Sequence, residues 1–305
     1  MHLNRFRKFT LLALLTSAYA IPAFAEDMSS SSFSPDMGKL LATGGVSSVE
    51  GAAGGGITPW ALISGYGTRD SYGANVHYTR LKTSDFSLDT YGAAVGIMDR
   101  VELSLAKQDF EGKDGPLNGL KITQDIFGVK VKVAGDAVYD QDTWMPQVAV
   151  GAQYKRNKGL SGIINAPVTA LGAVKENGVD YYASATKLYL EQSILANLTL
   201  RVTKANQMGI LGFGGDLHDR YKPLVEGSIA YLLNKNWVVG TEYRMKPHNL
   251  SADNEKAYYD LFVAWFPTKA VSITAAYANI GSIAAPETMN KDDQKGLYLS
   301  LQAGF

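Results

Sequence analysis

The chain of 305 residues contains no cysteine, only 4 histidines and 19% charged residues. Without cysteine it can form no disulfide bond and perform no thiolate chemistry. After residue 25 no stretch has 18 uninterrupted apolar residues, which argues against a bundle of membrane-spanning helices. Basic and acidic residues number 29 each, so the basic excess typical of nucleic-acid-binding proteins is missing and we expect no nucleic acid partner. A membrane β-barrel is still compatible with this composition, because its strands alternate apolar with polar residues.

Residues 1–25 have the features of a secretory signal peptide. Arg5, Arg7 and Lys8 form a basic start, a short apolar stretch follows, and small residues at positions 23 and 25 provide a cleavage site. Removal of this leader takes away three basic residues and no acidic residue, which leaves a net charge of −3. Residues 26–37 include five serines, and we predict that this segment is disordered.

From residue 38 to residue 305 the chain repeats short stretches in which apolar residues alternate with small or polar ones. In residues 101–106, for example, the odd-numbered positions are Val or Leu and the even-numbered ones are Glu, Ser and Ala. This period of two predicts β-strands. The fold class is therefore all-β, although soluble β-sandwiches show the same alternation.

Three further features favour a transmembrane antiparallel up-and-down β-barrel. The faces opposite the apolar ones are rich in Gly, Ser, Thr and isolated charges, as a wet lumen requires. Tight turns at 98–100, 234–236 and 267–269 contrast with long polar loops at 155–177, 207–220, 246–256 and 281–295, and this contrast is typical of the two ends of such a barrel. Aromatic residues lie near the ends of the apolar faces, where a membrane barrel has its girdles: Trp60, Tyr66, Tyr78, Tyr154, Tyr231, Trp237, Tyr243, Tyr259, Trp265 and Tyr277.

The last ten residues form an amphipathic strand, 296–305, that ends in Phe305. Such a strand looks like the targeting signal that the outer-membrane barrel assembly machinery recognises. The alternative is an ordinary last strand of a secreted sandwich. We predict the first, with outer-membrane lipid and lipopolysaccharide as the surroundings of the barrel.

The number of strands is predicted as 14. Twelve follow from the alternation: 73–81, 86–97, 101–109, 119–133, 146–155, 178–189, 197–206, 222–233, 237–245, 257–266, 270–280 and the last strand. A further strand at 57–65 needs a partner, because such barrels have an even number of strands, and 39–50 can supply it. The alternative is 12 strands, with residues 26–66 folded inside the lumen or along its rim. Gly44, Gly45 and the run 54–56 make the first strand weak.

The segment 41–80 resembles a known family. The stretches LATGGV at 41–46, TPWALI at 58–63 and GYGT at 65–68 are similar to a family of about this length in Gram-negative proteobacteria, catalogued only as a domain of unknown function. The resemblance implies an outer-membrane location in a Gram-negative bacterium. It implies no substrate and no catalytic residues.

No pattern in the sequence points to an enzyme. After the leader only His77, His218 and His248 remain, and no Ser has a paired His and acid at a defined spacing. Barrel phospholipases resemble one another in presenting Ser and His to the lipid, whereas His77 falls on the lumen face. We therefore predict no catalytic, cofactor or metal site.

Charged residues on the polar faces are the remaining candidates, since Arg or Lys facing lipid at mid-bilayer costs about 2–4 kcal/mol. They are predicted to line the lumen and set the selectivity of a passive channel for a small solute. A closed barrel with a structural or surface-interaction role is the alternative, and a lipid hydrolase is a third hypothesis. The candidate lumen residues are His77, Glu102, Lys130, Lys132, Lys155, Arg201, Glu226, Glu242, Arg244 and Asp260.

Overall fold

The computed structural model of the protein describes residues 38–284 and 293–305. The predicted signal peptide at 1–25 and the segment 26–37 lie outside the described residues. Within the described ranges, twelve long antiparallel strands form a closed barrel in which the last strand pairs with the first. The strands are β1 (Val46–Ser47), β2 (Ala53–Gly54), β3 (Tyr72–Thr83), β4 (Phe86–Ile97), β5 (Val101–Gly112), β6 (Lys121–Ala134), β7 (Gln147–Ser161), β8 (Asn177–Tyr189), β9 (Ile194–Thr203), β10 (Lys222–Leu232), β11 (Trp237–Arg244), β12 (Tyr258–Thr268), β13 (Val271–Asn279) and β14 (Lys295–Gly304), and the 3₁₀-helices are Gly115–Leu117, Val168–Leu171 and Asn206–Gly209.

The described residues, 38–284 and 293–305, include no helix that is both long enough and apolar enough to cross a membrane.

Side chains alternate between the outside and the inside of the barrel, as the sequence predicts. On β5, Leu103 and Leu105 are 50% and 54% exposed, whereas Glu102 and Ser104 are buried. The apolar residues therefore cover the outer wall and the polar ones face inward. A closed antiparallel barrel with an apolar exterior is the architecture of an outer-membrane protein.

The two ends of the barrel differ. Residues 98–100, 190–193 and 233–236 are short turns at the end that holds Phe305, and the loops 162–176, 204–221 and 245–257 lie at the other end. Following the usual orientation of such barrels, we call the first end periplasmic and the second end outer. Outward-facing aromatic residues mark both borders, with Trp237 stacked on Trp265 at the periplasmic end and Tyr181 near Tyr221 at the outer end.

The prediction of 14 strands is wrong, and the alternative of 12 is confirmed. The predicted strands 39–50 and 57–65 are not part of the wall. Residues 39–66, which we call the plug, lie inside the barrel, and residues 43–65 are all buried. The chain turns back on itself there, and a Cβ on Gly54 would lie 2.4 Å from the carbonyl oxygen of Thr58. The segment lies inside because its Glu50 pairs with cations of the wall that only the closed barrel brings together.

Two aromatic residues assigned to the girdles also lie in the plug. Trp60 is buried in the lumen, where its indole Nε1 donates a hydrogen bond to the hydroxyl of Ser228 on β10 at 2.9 Å. Tyr66 lies at the periplasmic end of the plug, and its backbone N–H donates to the carbonyl oxygen of Phe305 at 3.1 Å. A large apolar residue suits a lipid border and a buried lumen equally well, so the alternation could not separate the two.

Candidate functional site

Glu50 of the plug lies at the centre of a buried charge network. Its carboxylate accepts hydrogen bonds from Arg244 on β11, at 2.7 and 3.1 Å, and forms an ion pair with Arg201 on β9 at 3.3 Å. Lys155 on β7 also binds this carboxylate. Three cations from three separate strands therefore hold one side chain of the plug.

Two carboxylates of the wall balance these cations. Asp180 on β8 pairs with Lys155 at 2.5 Å and with Arg201 at 3.4 Å. Glu226 on β10 pairs with Arg201 and, at 3.3 Å, with Arg244. The network thus contains three cations and three carboxylates, which is the balance that burial of charge requires.

Glu102 and Lys130 form a second clamp on the plug. They pair at 3.0 Å on the neighbouring strands β5 and β6. The ammonium of Lys130 donates to the carbonyl oxygens of Ala53 and Leu62, each at 2.8 Å. Glu102 accepts from the backbone N–H groups of Ala53 and Ser64 at 3.1 and 2.9 Å. One ion pair of the wall therefore fixes two separate turns of the plug through its backbone.

Glu242 on β11 anchors the middle of the plug. It accepts from the backbone N–H of Ile57 at 2.8 Å and from the hydroxyl groups of Thr58 and Ser228 at 2.5 and 2.9 Å. Asp260 on β12 faces the lumen beside it and accepts the backbone N–H of Glu242 at 3.1 Å. These two carboxylates are bound by hydrogen-bond donors, in contrast to the ion pairs around Glu50.

A third ionic cluster closes the periplasmic end. Asp99, in the turn between β4 and β5, pairs with Lys39 of the plug at 2.8 Å and with Lys132 on β6. Lys132 also lies 3.6 Å from Asp136. The ammonium of Lys39 donates to the carbonyl oxygen of Ile63 at 2.7 Å, so the start of the plug is tied to its end.

His77 lies apart from these clusters. It faces the lumen from β3 and is buried, and neither ring nitrogen has a hydrogen-bond partner among the residues that the structure describes. His218 and His248 lie in the outer loops 204–221 and 245–257. The structure therefore separates the three histidines and places His77 on the inner side of the wall.

An outer loop folds into the lumen above the plug. The carbonyl oxygen of Met208 accepts from Lys155 at 3.1 Å and from Gln124 at 3.2 Å, and Asn157 donates to the carbonyl oxygen of Ile210 at 2.6 Å. Gln207 and Met208 have positive φ angles of 45° and 61°, an unusual conformation for residues with side chains. This loop, 204–221, therefore narrows the mouth of the lumen.

Comparison with family models gives one match, over residues 43–302, to the family described as "Protein of unknown function (DUF3034)". The chain belongs to this family. The match covers most of the plug together with the barrel wall. The comparison with curated proteins found no match.

Among solved structures the chain is similar to several barrels. It is 9% identical to the NanC porin over 75% of this chain and 98% of that chain, with a TM-score of 0.49. It is 11% identical to an outer membrane channel from Pseudomonas putida F1 over 81% and 97%, with a TM-score of 0.45. It is 10% identical to outer membrane phospholipase A from Escherichia coli over 79% and 94%, with a TM-score of 0.41. Channels and an enzyme both occur in this set, and likenesses this distant do not distinguish between them.

The lumen is closed to water along its charged part. A continuous channel as wide as a water molecule would leave the side chains that line it accessible. None of the ten candidate lumen residues is more than 6% exposed, although all ten face inward. The plug and the inward-folded loop fill the space between them.

Sequence reasoning missed Glu50 and Asp180. Asp180 falls in phase with the inward-facing residues Tyr182 and Ser184, so the alternation of β8 could have identified it. Glu50 carried no such signal, because it belongs to a segment that we predicted as wall. An acidic residue in a glycine-rich apolar segment was the only indication of a role inside the barrel.

Proposed function

We propose that this protein is an outer-membrane channel for a small solute and that its resting state is closed by the plug. The observation that carries the proposal is the chemistry of the lumen wall. The wall facing the plug is polar, and it holds the plug through ion pairs and hydrogen bonds to Glu50, Ala53 and Ile57. A wall of this kind can be rehydrated when the plug moves, whereas an apolar core could not.

The charges of the wall are compatible with such a movement. Without Glu50, the cations Lys155, Arg201 and Arg244 still have Asp180 and Glu226 as partners. Water entering the lumen would solvate the remaining positive charge. Ion pairs in contact with water do not carry the desolvation penalty of a dry interior. The charged wall can therefore remain stable when the plug has moved and water fills the lumen.

The test locks the plug to the wall with a disulfide bond. The hydroxyl oxygens of Thr58 in the plug and Ser228 on β10 are 2.7 Å apart, so Thr58→Cys with Ser228→Cys places two sulfur atoms within bonding reach. The chain has no cysteine of its own that could compete. We expect single barrels in planar bilayers to conduct when the pair is reduced and to stop conducting when it is oxidised.

A matched control joins two strands of the wall. Thr79 on β3 and Ser300 on β14 have hydroxyl oxygens that are also 2.7 Å apart, so Thr79→Cys with Ser300→Cys gives the same chemistry without the plug. Its conductance should not depend on oxidation. Equal conductance of the oxidised and reduced Thr58–Ser228 pair would refute gating by the plug.

A permanently closed barrel with a structural role is the second candidate, and the balanced buried network around Glu50 favours it. In that case neither the reduced Thr58–Ser228 pair nor Glu50→Gln would conduct. Glu50→Gln removes the carboxylate that holds three cations. If the plug is a gate, this variant should open more often than the wild type.

A further inference from the structure

The inner wall of the barrel is divided into two sectors of different chemistry. The charged residues that hold the plug lie on β5 to β11, except for Asp99 in the turn between β4 and β5. Asp260 on β12 faces the lumen beside Glu242. Among the described residues, the inward-facing side chains of β13, β14, β3 and β4 include no carboxylate, ammonium or guanidinium group. We call these four adjacent strands the neutral sector. Its polar side chains include Ser272, Thr274, Ser300, Gln302, Thr79 and Thr90.

The plug makes few hydrogen bonds to the neutral sector. Ser47 contacts Asn75 at 3.0 Å and Gln302 at 2.9 Å, and the amide of Asn75 donates to Ser64 at 2.5 Å. The ionic anchors of the plug lie on the other strands and, for Lys39, in the turn between β4 and β5. The plug is therefore held by ion pairs on one side of the lumen, and by packing and a few hydrogen bonds on the other.

Four side chains of the neutral sector have buried polar atoms without a hydrogen-bond partner among the described residues. They are His77, at both ring nitrogens, and the hydroxyl groups of Thr90, Ser272 and Tyr298, and all four residues are at most 5% exposed. In the strand register, Gln302 on β14 lies opposite His77 on β3 and, on its other side, opposite Ser272 on β13. These groups therefore lie on adjacent strands. A buried polar group without a partner is costly, and such groups are rare unless they bind water or a ligand.

A small cavity lies at the periplasmic end of the same sector. Its volume is about 10 Å³, and Asn75, Ser272, Gln302 and Tyr66 are among its lining residues. This volume is about what one water molecule needs. Of the side chains without a hydrogen-bond partner, Ser272 borders this cavity.

We infer that the solute passes along the neutral sector and that it is an uncharged compound rich in hydroxyl groups. This inference rests on the proposed channel function. The hydroxyl, amide and imidazole groups of this sector can each donate or accept a hydrogen bond, as an uncharged polyol requires. An ionic solute would find no opposite charge on these strands, while the charges elsewhere are paired with each other.

The test compares an uncharged and a charged solute of similar size. Full-length Glu50→Gln protein in liposomes is exposed to isotonic xylitol or isotonic potassium gluconate, and the swelling rate is recorded. We expect faster swelling in xylitol. Adding Thr90→Val and Ser272→Ala should lower the xylitol rate by about threefold or more, as expected for the loss of a hydrogen bond at each position, and leave the ion conductance unchanged.

The control removes a hydroxyl from the charged sector. Thr203 on β9 donates to Asp180, and Thr203→Val should leave the ratio of the xylitol and gluconate rates unchanged. Equal rates for both solutes, or an unchanged xylitol rate in the Thr90 and Ser272 variant, would overturn the neutral route while the channel itself stands. The absence of flux for both solutes would instead refute the proposed channel.

Discussion

At the residue scale, Gln207 joins the outer loops into one cluster. Its side chain donates to Asp253 at 2.8 Å and accepts from Lys246 at 2.9 Å, and its backbone N–H donates to Glu255 at 3.0 Å. Burial raises the pKa of Glu255 to about 8, and burial also lowers the pKa of Lys246 to about 8. Both groups lie in the loop 245–257, and through Gln207 they hold the loop that enters the lumen.

The raised pKa of Glu255 predicts that the outer loops become less stable as the pH rises. A raised pKa means that the folded loop favours protonated Glu255, so this contribution is complete below the usual value of 4.5 and is lost as the pH rises through about 8. Lys246 is protonated in both states at pH 5 to 7, so of these two groups Glu255 sets the slope there, at most about 1.4 kcal/mol per pH unit. Hydrogen exchange of 204–221, corrected for intrinsic rates, should quicken from pH 5 to pH 7. In Glu255→Gln this quickening should disappear, and a quickening of the same size would contradict the assignment.

At the element scale, the plug is a compact segment whose shape depends on glycine. The short strands β1 and β2 of the plug pair with each other in antiparallel direction. Gly54, in β2, lies where the chain turns back on itself. A Cβ there would lie 2.4 Å from the carbonyl oxygen of Thr58 and 2.6 Å from the backbone nitrogen of Trp60. These are backbone atoms that cannot rotate away, so the segment itself would have to shift.

We therefore expect Gly54→Ala to release the plug and leave the barrel folded. The matched control is Gly227→Ala on β10, where the nearest atom to a new Cβ is 3.6 Å away. A Ser48→Cys reporter, buried in the native plug, should react with maleimide in the Gly54 variant and stay protected in the control. Both proteins should keep the heat-dependent mobility of a folded barrel on gels. Equal protection of the reporter would mean that the plug tolerates the added methyl group.

At the scale of the whole molecule, stability comes from a closed ring of strands with an apolar exterior. Val129 on β6 lies outward, between Phe127 and Val131, and is 42% exposed to the surroundings of the barrel. Every backbone group of a closed barrel wall can be paired, so the lipid meets only side chains. The predicted recognition of the last strand and Phe305 by the assembly machinery, and contact with lipopolysaccharide, stay predictions.

Whether the outward face of β6 at Val129 contacts the hydrocarbon of the membrane can be tested by introducing one charged side chain. Val129→Arg should destabilise the folded barrel by about 2–4 kcal/mol, as expected for arginine facing the bilayer midplane. The apolar control Val129→Leu should change little. The measurement is the folded fraction in dilauroyl phosphatidylcholine across a urea series. Indistinguishable urea midpoints for the arginine and leucine variants would show that this face does not meet hydrocarbon.

The alternation of the sequence determined the wall of the barrel. The predicted strand 86–97 matches β4 residue for residue, and the other eleven barrel strands are found with shifts at their ends. The inward positions of Glu102 and Arg244 followed from the same alternation. A membrane barrel has two uniform surroundings, lipid outside and a polar lumen inside, so the face of each residue follows from its position along the strand.

Only the tertiary structure decided what fills the lumen. Residues 39–66 have enough apolar residues to pass for two strands, and nothing local in the sequence shows that Glu50 meets Lys155, Arg201 and Arg244. Those partners are more than 100 residues away along the chain, on three different strands. The closure of the barrel brings them to one point, and the requirement that buried charges be paired then selects the segment that lies between them.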